Sequence, residues 1–394
     1  MSAPHLELDP FDDAFLTNPY PFHEKIREAG AVVRLDAYGI YASARHAEVT
    51  QGLSDWETFS SAAGVGLDDF RRSKPWRPPS LILEADPPLH TRSRTVLNRA
   101  LSAKAMAGLR ASFQAAAEKL ADTLVGRGAI DAIAEIAEAY PLSVFPGAVG
   151  LGPHGLENLL PYGAMAFNAF GPRNTHFETS MQDAARVVGW INAQCTREAL
   201  SPDGLGAVVW AGVDSGEITK EEAPLLVRSL LTAGLDTTII GIGNALYALA
   251  ESPDQWRVLR DNPALLRPAF DEMLRFESPV QTFFRTTTRP TELGGVALPQ
   301  DAKILLFLAG ANRDPRRWDN PDRFDVTRKA MGHTAFGAGI HMCVGQMLAR
   351  LETEMILGAL LKRFVSIERA GEPTRKLNNT LRQLARLPLR LISA

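Results

Sequence analysis

Cys195 and Cys343 are the only cysteines in 394 residues. So few thiols exclude a disulfide framework and fit a reducing cytoplasm. An excess of one charge is also missing. The formal net charge is -3, which gives no reason to expect nucleic acid as a partner. No uninterrupted apolar run is long enough to span a bilayer, and Met1 to Pro10 has no basic run followed by an apolar stretch. Neither a membrane anchor nor a signal peptide is therefore expected. Gly/Ser linkers, low-complexity tracts and repeats of fixed period are absent as well, so residues 1–394 read as a single domain. What is present is ordinary globular chemistry, 45% hydrophobic and 22% charged, with length for a sizeable core.

The pattern along the chain predicts a mainly α protein with a minor β component. Pro21 to Ala29 and His46 to Leu53 read as short helices, and Val32 to Leu35 and Gly39 to Ala44 as strands. Ser60 to Pro79 reads as a long loop, and loops of that length are usually functional or disordered. Helix begins again at Leu89, after Pro87 and Pro88, and dominates from Ala103 to about Ala250. The longest helix is expected from Lys220 to Ala250, opened by a Thr219–Glu222 capping box. Gly234, Gly241 and Gly243 lie inside it, each costing about 1 kcal/mol against alanine. Such a cluster points to close approach or local widening. Pro263 to Phe276 reads as a further helix, and Val280 to Thr288 and Lys303 to Phe307 as β-rich.

Phe336 to Gly345 reads Phe-Gly-Ala-Gly-Ile-His-Met-Cys-Val-Gly, then a leucine-rich helical pattern. The glycines let the backbone bend and come close to something flat. A thiolate beside helix N-terminal N–H groups is stabilised. A soft anionic sulfur held this way suits axial ligation of haem iron. By position alone, Cys343 fits a buried structural cysteine equally well. Phe336, Gly337, Gly339, His341, Cys343, Gly345, Leu348, Ala349 and Arg350 together resemble the cysteine-ligand signature of the cytochrome P450 family.

That resemblance implies the family's fold, with haem b between the long central helix and the cysteine-ligand helix. It also implies a monooxygenase using O2. Asp236 and Thr237, mid-helix, are similar to the family's oxygen-activation pair, with Thr237 as a hydrogen-bonding hydroxyl and Asp236 as a proton relay. Gly234 is expected to leave space for O2. His90, Arg94, Arg285 and His341 match family ligands of the haem propionates. Glu272 and Arg275, one turn apart, resemble a buried structural triad whose third member is expected to be Arg323. With no flavin or iron–sulfur region appended, the resemblance implies a separate ferredoxin and NAD(P)H ferredoxin reductase. Arg92, Arg99 and Arg350 are candidates for their docking face, and a monomer is expected.

For the substrate, Arg77 and Ser80 beside an apolar segment could grip a carboxylate, with Ser229 and Thr232 or Arg228 adding donors. Phe167, Phe170 and Phe283 could sandwich an aromatic ring, and Leu83 and Val280 could narrow the pocket. Each phenylalanine alone fits plain core filling. Trp76 to Pro88, Phe167 to Phe170, Ala223 to Ser229 and Ser278 to Arg285 resemble bacterial monooxygenases that demethylate 4-methoxybenzoate. The resemblance implies carboxylate binding by Arg77, Ser80 and Ser229, with Thr232 standing where serine is expected. A monooxygenase of a terpene or fatty acid, or a haem sensor without turnover, stays open as an alternative. A cysteine-nucleophile hydrolase would need His341 as its base.

Overall fold

The computed structural model describes residues 2–393; helices dominate, and the described strands form four small sheets. The largest sheet joins His5–Leu6 (β1), Val33–Leu35 (β2), Ile40–Ser43 (β3), Phe59–Ser60 (β4), Thr282–Thr287 (β5) and Lys303–Phe307 (β6) in the order β1-β2-β3-β6-β5-β4. The β5–β6 pair is antiparallel, with Phe283 opposite Leu306 and Arg285 opposite Ile304. Side chains alternate along a strand. Phe283 and Arg285 therefore share the face that lines the central cavity, while Phe284 packs with Phe15, Leu305 and Phe307 on the other side.

Lys303 on β6 holds the start of the long loop. Its Nζ donates to the carbonyls of Ala63, Gly64 and Gly66 at 3.3, 3.0 and 3.0 Å. Gly66 then lies so near the backbone of Phe170 that a Cβ would sit 2.7 Å from its Cα. Leu67 N–H donates to the Phe170 carbonyl at 2.8 Å. The loop at 60–79 is thus tied at its beginning to both the sheet and the aromatic side of the cavity.

Seven helices position the site: Leu89–Ala100 (α1), Ala103–Leu124 (α2), Leu159–Asn168 (α3), Glu222–Ala233 (α4), Asp236–Glu251 (α5), Leu266–Phe276 (α6) and Gln346–Arg363 (α7). The expected single helix from Lys220 to Ala250 is two, α4 and α5, so the longest helix is α2 with 22 residues. The capping box is present: Thr219 N–H donates to Glu222 at 2.8 Å and Glu222 N–H to Thr219 Oγ1 at 3.3 Å. At the break, Thr237 and Thr238 hydroxyls donate to the carbonyls of Ala233 and Gly234 at 2.8 and 3.2 Å. These side chains take up carbonyls that the backbone ladder would otherwise use. By length and composition the stretch Glu222–Glu251 is apolar enough to cross a membrane, which the search for uninterrupted apolar runs passed over; 61% of its apolar window is buried inside the fold.

Two of the three glycines meet close neighbours. A Cβ on Gly234 would lie 2.5 Å from the Phe145 ring, and one on Gly243 would lie 2.8 Å from Ile133 Cδ1. Gly241 has ordinary room. A side chain at Gly234 would thus meet Phe145, while the glycine itself lines the central cavity.

Glu272 and Arg275 on α6 are fully buried and paired at 2.6 and 2.9 Å. Arg275 also donates to the carbonyls of Asn312 and Pro321, both at 2.8 Å. The third side chain of the expected triad is Arg328, 3.2 Å from Glu272 Oε1. Arg323 contributes only its carbonyl, 3.4 Å from Arg275, because the turn after Asn320 directs its backbone, not its guanidinium, toward the pair. Removing one partner of such a buried network costs about 3–5 kcal/mol, whereas an uninvolved surface side chain costs within about 0.5 kcal/mol. Arg275→Met is thus expected to lower the thermal midpoint sharply, and Arg323→Ala to leave it nearly unchanged, when both are followed by circular dichroism.

Candidate active site

A cavity of about 230 Å³ runs between the sheet, α4, α5 and the segment before α7. It is lined by Cys343 and Thr237, and by all nine residues expected at the substrate: Arg77, Ser80, Leu83, Phe167, Phe170, Ser229, Thr232, Val280 and Phe283. Helical spacing explains part of this. Ser229, Thr232 and Ala233 recur at three and four residues on α4 and share one face. Phe167 and Phe170 meet edge to face at 5.8 Å, and Phe170 and Phe283 at 6.0 Å. The three rings, from α3, the turn beyond it and β5, make one aromatic wall.

Cys343 sits just ahead of α7. Its N–H donates to the Phe336 carbonyl at 2.7 Å, closing the turn. Within that turn Gly337 and Gly339 take φ of 72° and 66°, a region costly for other residues. A Cβ on Gly339 would also lie 2.7 Å from Ser54 Cα. Burial pushes the Cys343 thiol up; N–H groups of Gly345 and Gln346 and the guanidiniums of Arg94 and Arg350 oppose that shift.

Around this end stand four cationic or imidazole side chains. The His90 and His341 rings are 4.5 Å apart. His341 Nδ1 meets the Ile82 carbonyl at 3.1 Å, while its Nε2 is buried without a hydrogen-bond partner, as are His90 Nε2 and Arg285 Nε. Burial, then the charge of Arg285, lowers the His341 pKa to about 3, and burial lowers that of Arg285 to about 10. Arg94 donates to the Met342 carbonyl at 2.5 Å, and a cation so close to the cysteine turn favours a thiolate.

The opposite chemistry gathers around Arg77. Its guanidinium reaches Glu84 at 3.0 and 3.4 Å and the Pro78 carbonyl at 3.0 Å, leaving its buried Nε–H without a partner. Glu84 also accepts the Ser80 N–H at 2.6 Å. Ser80 and Ser229 hydroxyls are 3.3 Å apart. Arg228, mentioned only in passing by the sequence reading, lines the cavity too. It donates to the Pro78 and Pro79 carbonyls at 2.7 and 3.5 Å and has no carboxylate of its own among the described residues. Glu84 was missed altogether; its spacing of four from Ser80 and seven from Arg77 was the available signal.

A family model described as cytochrome P450 matches residues 205–392. Across its whole length the chain is 56% identical to cytochrome p450 CYP199A2 of Rhodopseudomonas palustris, covering 95% of that protein. The chain belongs to the cytochrome P450 family. Among solved structures, cytochrome P450 CYP109Q5 from Chondromyces apiculatus superposes with a TM-score of 0.83 at 31% identity, over 98% of each chain. Cytochrome P450 CREJ, in complex with (4-ethylphenyl) dihydrogen phosphate, gives 0.88 at 25% identity over 97% of this chain and 98% of that one. The protein is accordingly a haem-thiolate monooxygenase with the mainly α, minor β fold of its family.

The residues present fit haem b. Cys343 is the one cysteine lining the cavity, and three buried donors beside it lack protein partners. Cys343 would supply the axial sulfur, and His90, Arg94, Arg285 and His341 would meet the two propionates. A hydrolytic pairing of His341 with Cys343 fits less well, since the imidazole is held to Ile82 instead.

Thr237 and Asp236 diverge. The threonine lines the cavity, whereas the Asp236 carboxyl is buried against α3, where a methyl on Gly163 would overlap Oδ2. Burial raises the Asp236 pKa to about 8; Lys376 opposes the shift and Glu138 adds to it. The Asp236 carboxyl thus packs against α3 and, unlike Thr237, is not part of the cavity lining. An acid whose folded pKa is raised stabilises the fold below its unfolded value, and that contribution is lost as pH climbs toward about 8. Asp236→Asn is therefore expected to gain stability relative to the parent between pH 5 and pH 8. Thermal midpoints at four pH values test this; a constant difference would mean that Asp236 titrates normally.

Proposed function

We propose that this cytochrome P450 oxidises para-substituted benzoic acids, and in particular O-demethylates 4-methoxybenzoate to 4-hydroxybenzoate and formaldehyde. The observation that carries this reading is a charge count. Two buried guanidiniums, Arg77 and Arg228, face the cavity, and one carboxylate, Glu84, is paired with Arg77 behind the cavity wall. Nearby Tyr162 and Cys195 are held protonated by burial, Cys195 with its pKa at about 12. One positive charge is left over, and a buried charge without a counterion costs several kcal/mol. A single carboxylate on the substrate meets it. A neutral terpene would leave it unmet.

The Ser80 hydroxyl and the free Arg77 Nε–H supply the hydrogen bonds, each to a charged group stabilising by roughly 1.5–3 kcal/mol; the Ser229 hydroxyl, 3.3 Å from that of Ser80, donates to the Leu225 carbonyl at 2.9 Å and would have to turn from it to join them. Thr232 stands on the same face, but its hydroxyl already donates to the Arg228 carbonyl at 2.8 Å, so its methyl shapes the ring's neighbourhood. Phe167, Phe170 and Phe283 flank a flat ring, and Leu83 and Val280 narrow its path. Ser229 on α4 and Thr237 at the start of α5 both line the cavity, eight residues apart across the helix break. A rigid ring held at the acid end would present its para substituent to the Cys343 end. Fixing that geometry supplies both rate and regioselectivity.

Haem b held by Cys343 would supply the oxygen chemistry, in which O2, two electrons and two protons yield one oxygen atom in a substrate C–H bond and one water. Insertion at the methoxy carbon gives a hemiacetal, which collapses to the phenol and formaldehyde. The Thr237 hydroxyl holds a proton at the cavity wall, and Asp236, with Lys376 and Glu138 beside it, exchanges protons with solvent. The electrons come from a ferredoxin and its NAD(P)H reductase, to one monomeric domain. Arg92, Arg99 and Arg350 are already paired with Glu222, Glu217 and Asp271, so docking through them would exchange existing ion pairs. The CREJ complex supports the reading by analogy, since its ligand is also a para-alkyl ring carrying an acidic head.

Titration of the ferric protein with the three methoxybenzoate isomers tests this. The para isomer is expected to bind and turn over far better than the meta and ortho isomers; equal demethylation of all three would overturn the anchoring. Thr237→Ala is expected to keep substrate binding but to divert NADH electrons to hydrogen peroxide, read as product formed per NADH consumed.

A further inference from the structure

We propose that Glu84 is a specificity-determining residue that restricts the acid end of the cavity to singly charged heads. The proposal rests on the carboxylate reading above and extends it to the number of charges the substrate carries. Glu84 is buried and holds Arg77 through two guanidinium nitrogens and Ser80 through its backbone N–H. It therefore does two things at once. It cancels one of two guanidiniums, and it holds both terminal nitrogens of Arg77 so that Nε is the one guanidinium nitrogen without a partner.

Arg77 and Glu84 also line a neighbouring pocket with the ion pair of Asp68 and Arg173, which adds no net charge. The other charged and titratable groups around this end are Arg228, Tyr162 and Cys195. The last two are neutral, so the balance is one positive charge. Arg94 and Arg285 belong to the Cys343 end, where Asp86 lies within the influence of Arg285. A monoanion closes the balance at the acid end. A dianion brings a second negative charge next to Glu84 in a buried site, where no third cation answers it. Without Glu84 the same cavity would hold two uncancelled guanidiniums, a fit for a phosphate or phosphonate head.

The test uses the ferric holoenzyme and two ligands with the same ring, 4-methoxybenzoate and 4-methoxyphenyl phosphate, followed by spectral titration and calorimetry. A phosphate monoester loses its second proton near about pH 6. At pH 8 the parent protein is expected to favour the benzoate by at least about tenfold, and Glu84→Gln to reduce or invert that ratio by a similar factor. Glu84→Asp, which keeps the charge, is expected to retain the preference. An unchanged ratio in correctly ligated Glu84→Gln, with the parent still binding benzoate, overturns this proposal and leaves the substrate reading intact. Loss of the preference in Glu84→Asp as complete as in Glu84→Gln overturns the charge argument. If Glu84→Gln does not fold, the parent decides. Between pH 5.5 and pH 8 its affinity for the phosphate should fall while that for the benzoate holds, and a flat phosphate profile overturns the proposal. A parent that binds neither ligand overturns the carboxylate reading, and this inference with it.

Discussion

A cation or hydrogen-bond donor cut off from water has to find a partner, and this constraint organises the whole cavity. Its two ends differ in how they meet it. Near Cys343, His90, His341 and Arg285 keep buried donors that no protein group accepts, which suits a prosthetic group with two carboxylates. Around Arg77, protein acceptors meet both terminal nitrogens of the guanidinium, and Nε is left without a partner. The first arrangement commits the fold to its cofactor; the second is what the proposed acid would complete.

Much of this was legible in the sequence. The cysteine turn, its glycines and the spacing of His341 from Cys343 are local features, and local geometry follows from local residues. That the nine residues expected at the substrate share one cavity was also legible, because a resemblance over nearly the whole chain carries pocket lining with it. What escaped were groups defined by long-range packing. The contact of Gly234 with Phe145 is one of them, since Phe145 comes from nearly ninety residues earlier. The triad's third member is Arg328 because the chain turns between Asn320 and Arg328 in a way no periodicity encodes. Glu84 was overlooked for a different reason: an acid near an arginine reads as a surface pair until burial is known.

The helix expected from Lys220 to Ala250 failed at one place only, between Ala233 and Asp236. Composition gave the correct warning there, in its glycines and paired threonines, but not the outcome. Intrinsic propensity cannot say whether costly residues end a helix or are tolerated in it, since neighbouring chains decide. Here Phe145 and the two hydroxyls decide it together.

That interruption has an evolutionary corollary. In an unbroken α-helix every alteration of winding rotates all later side chains, so residues gripping a ligand could not drift without disturbing those beyond them. A gap in the ladder after Ala233 absorbs such rotation. Cavity-lining positions on α4 can thus change without re-aiming Thr237 on α5.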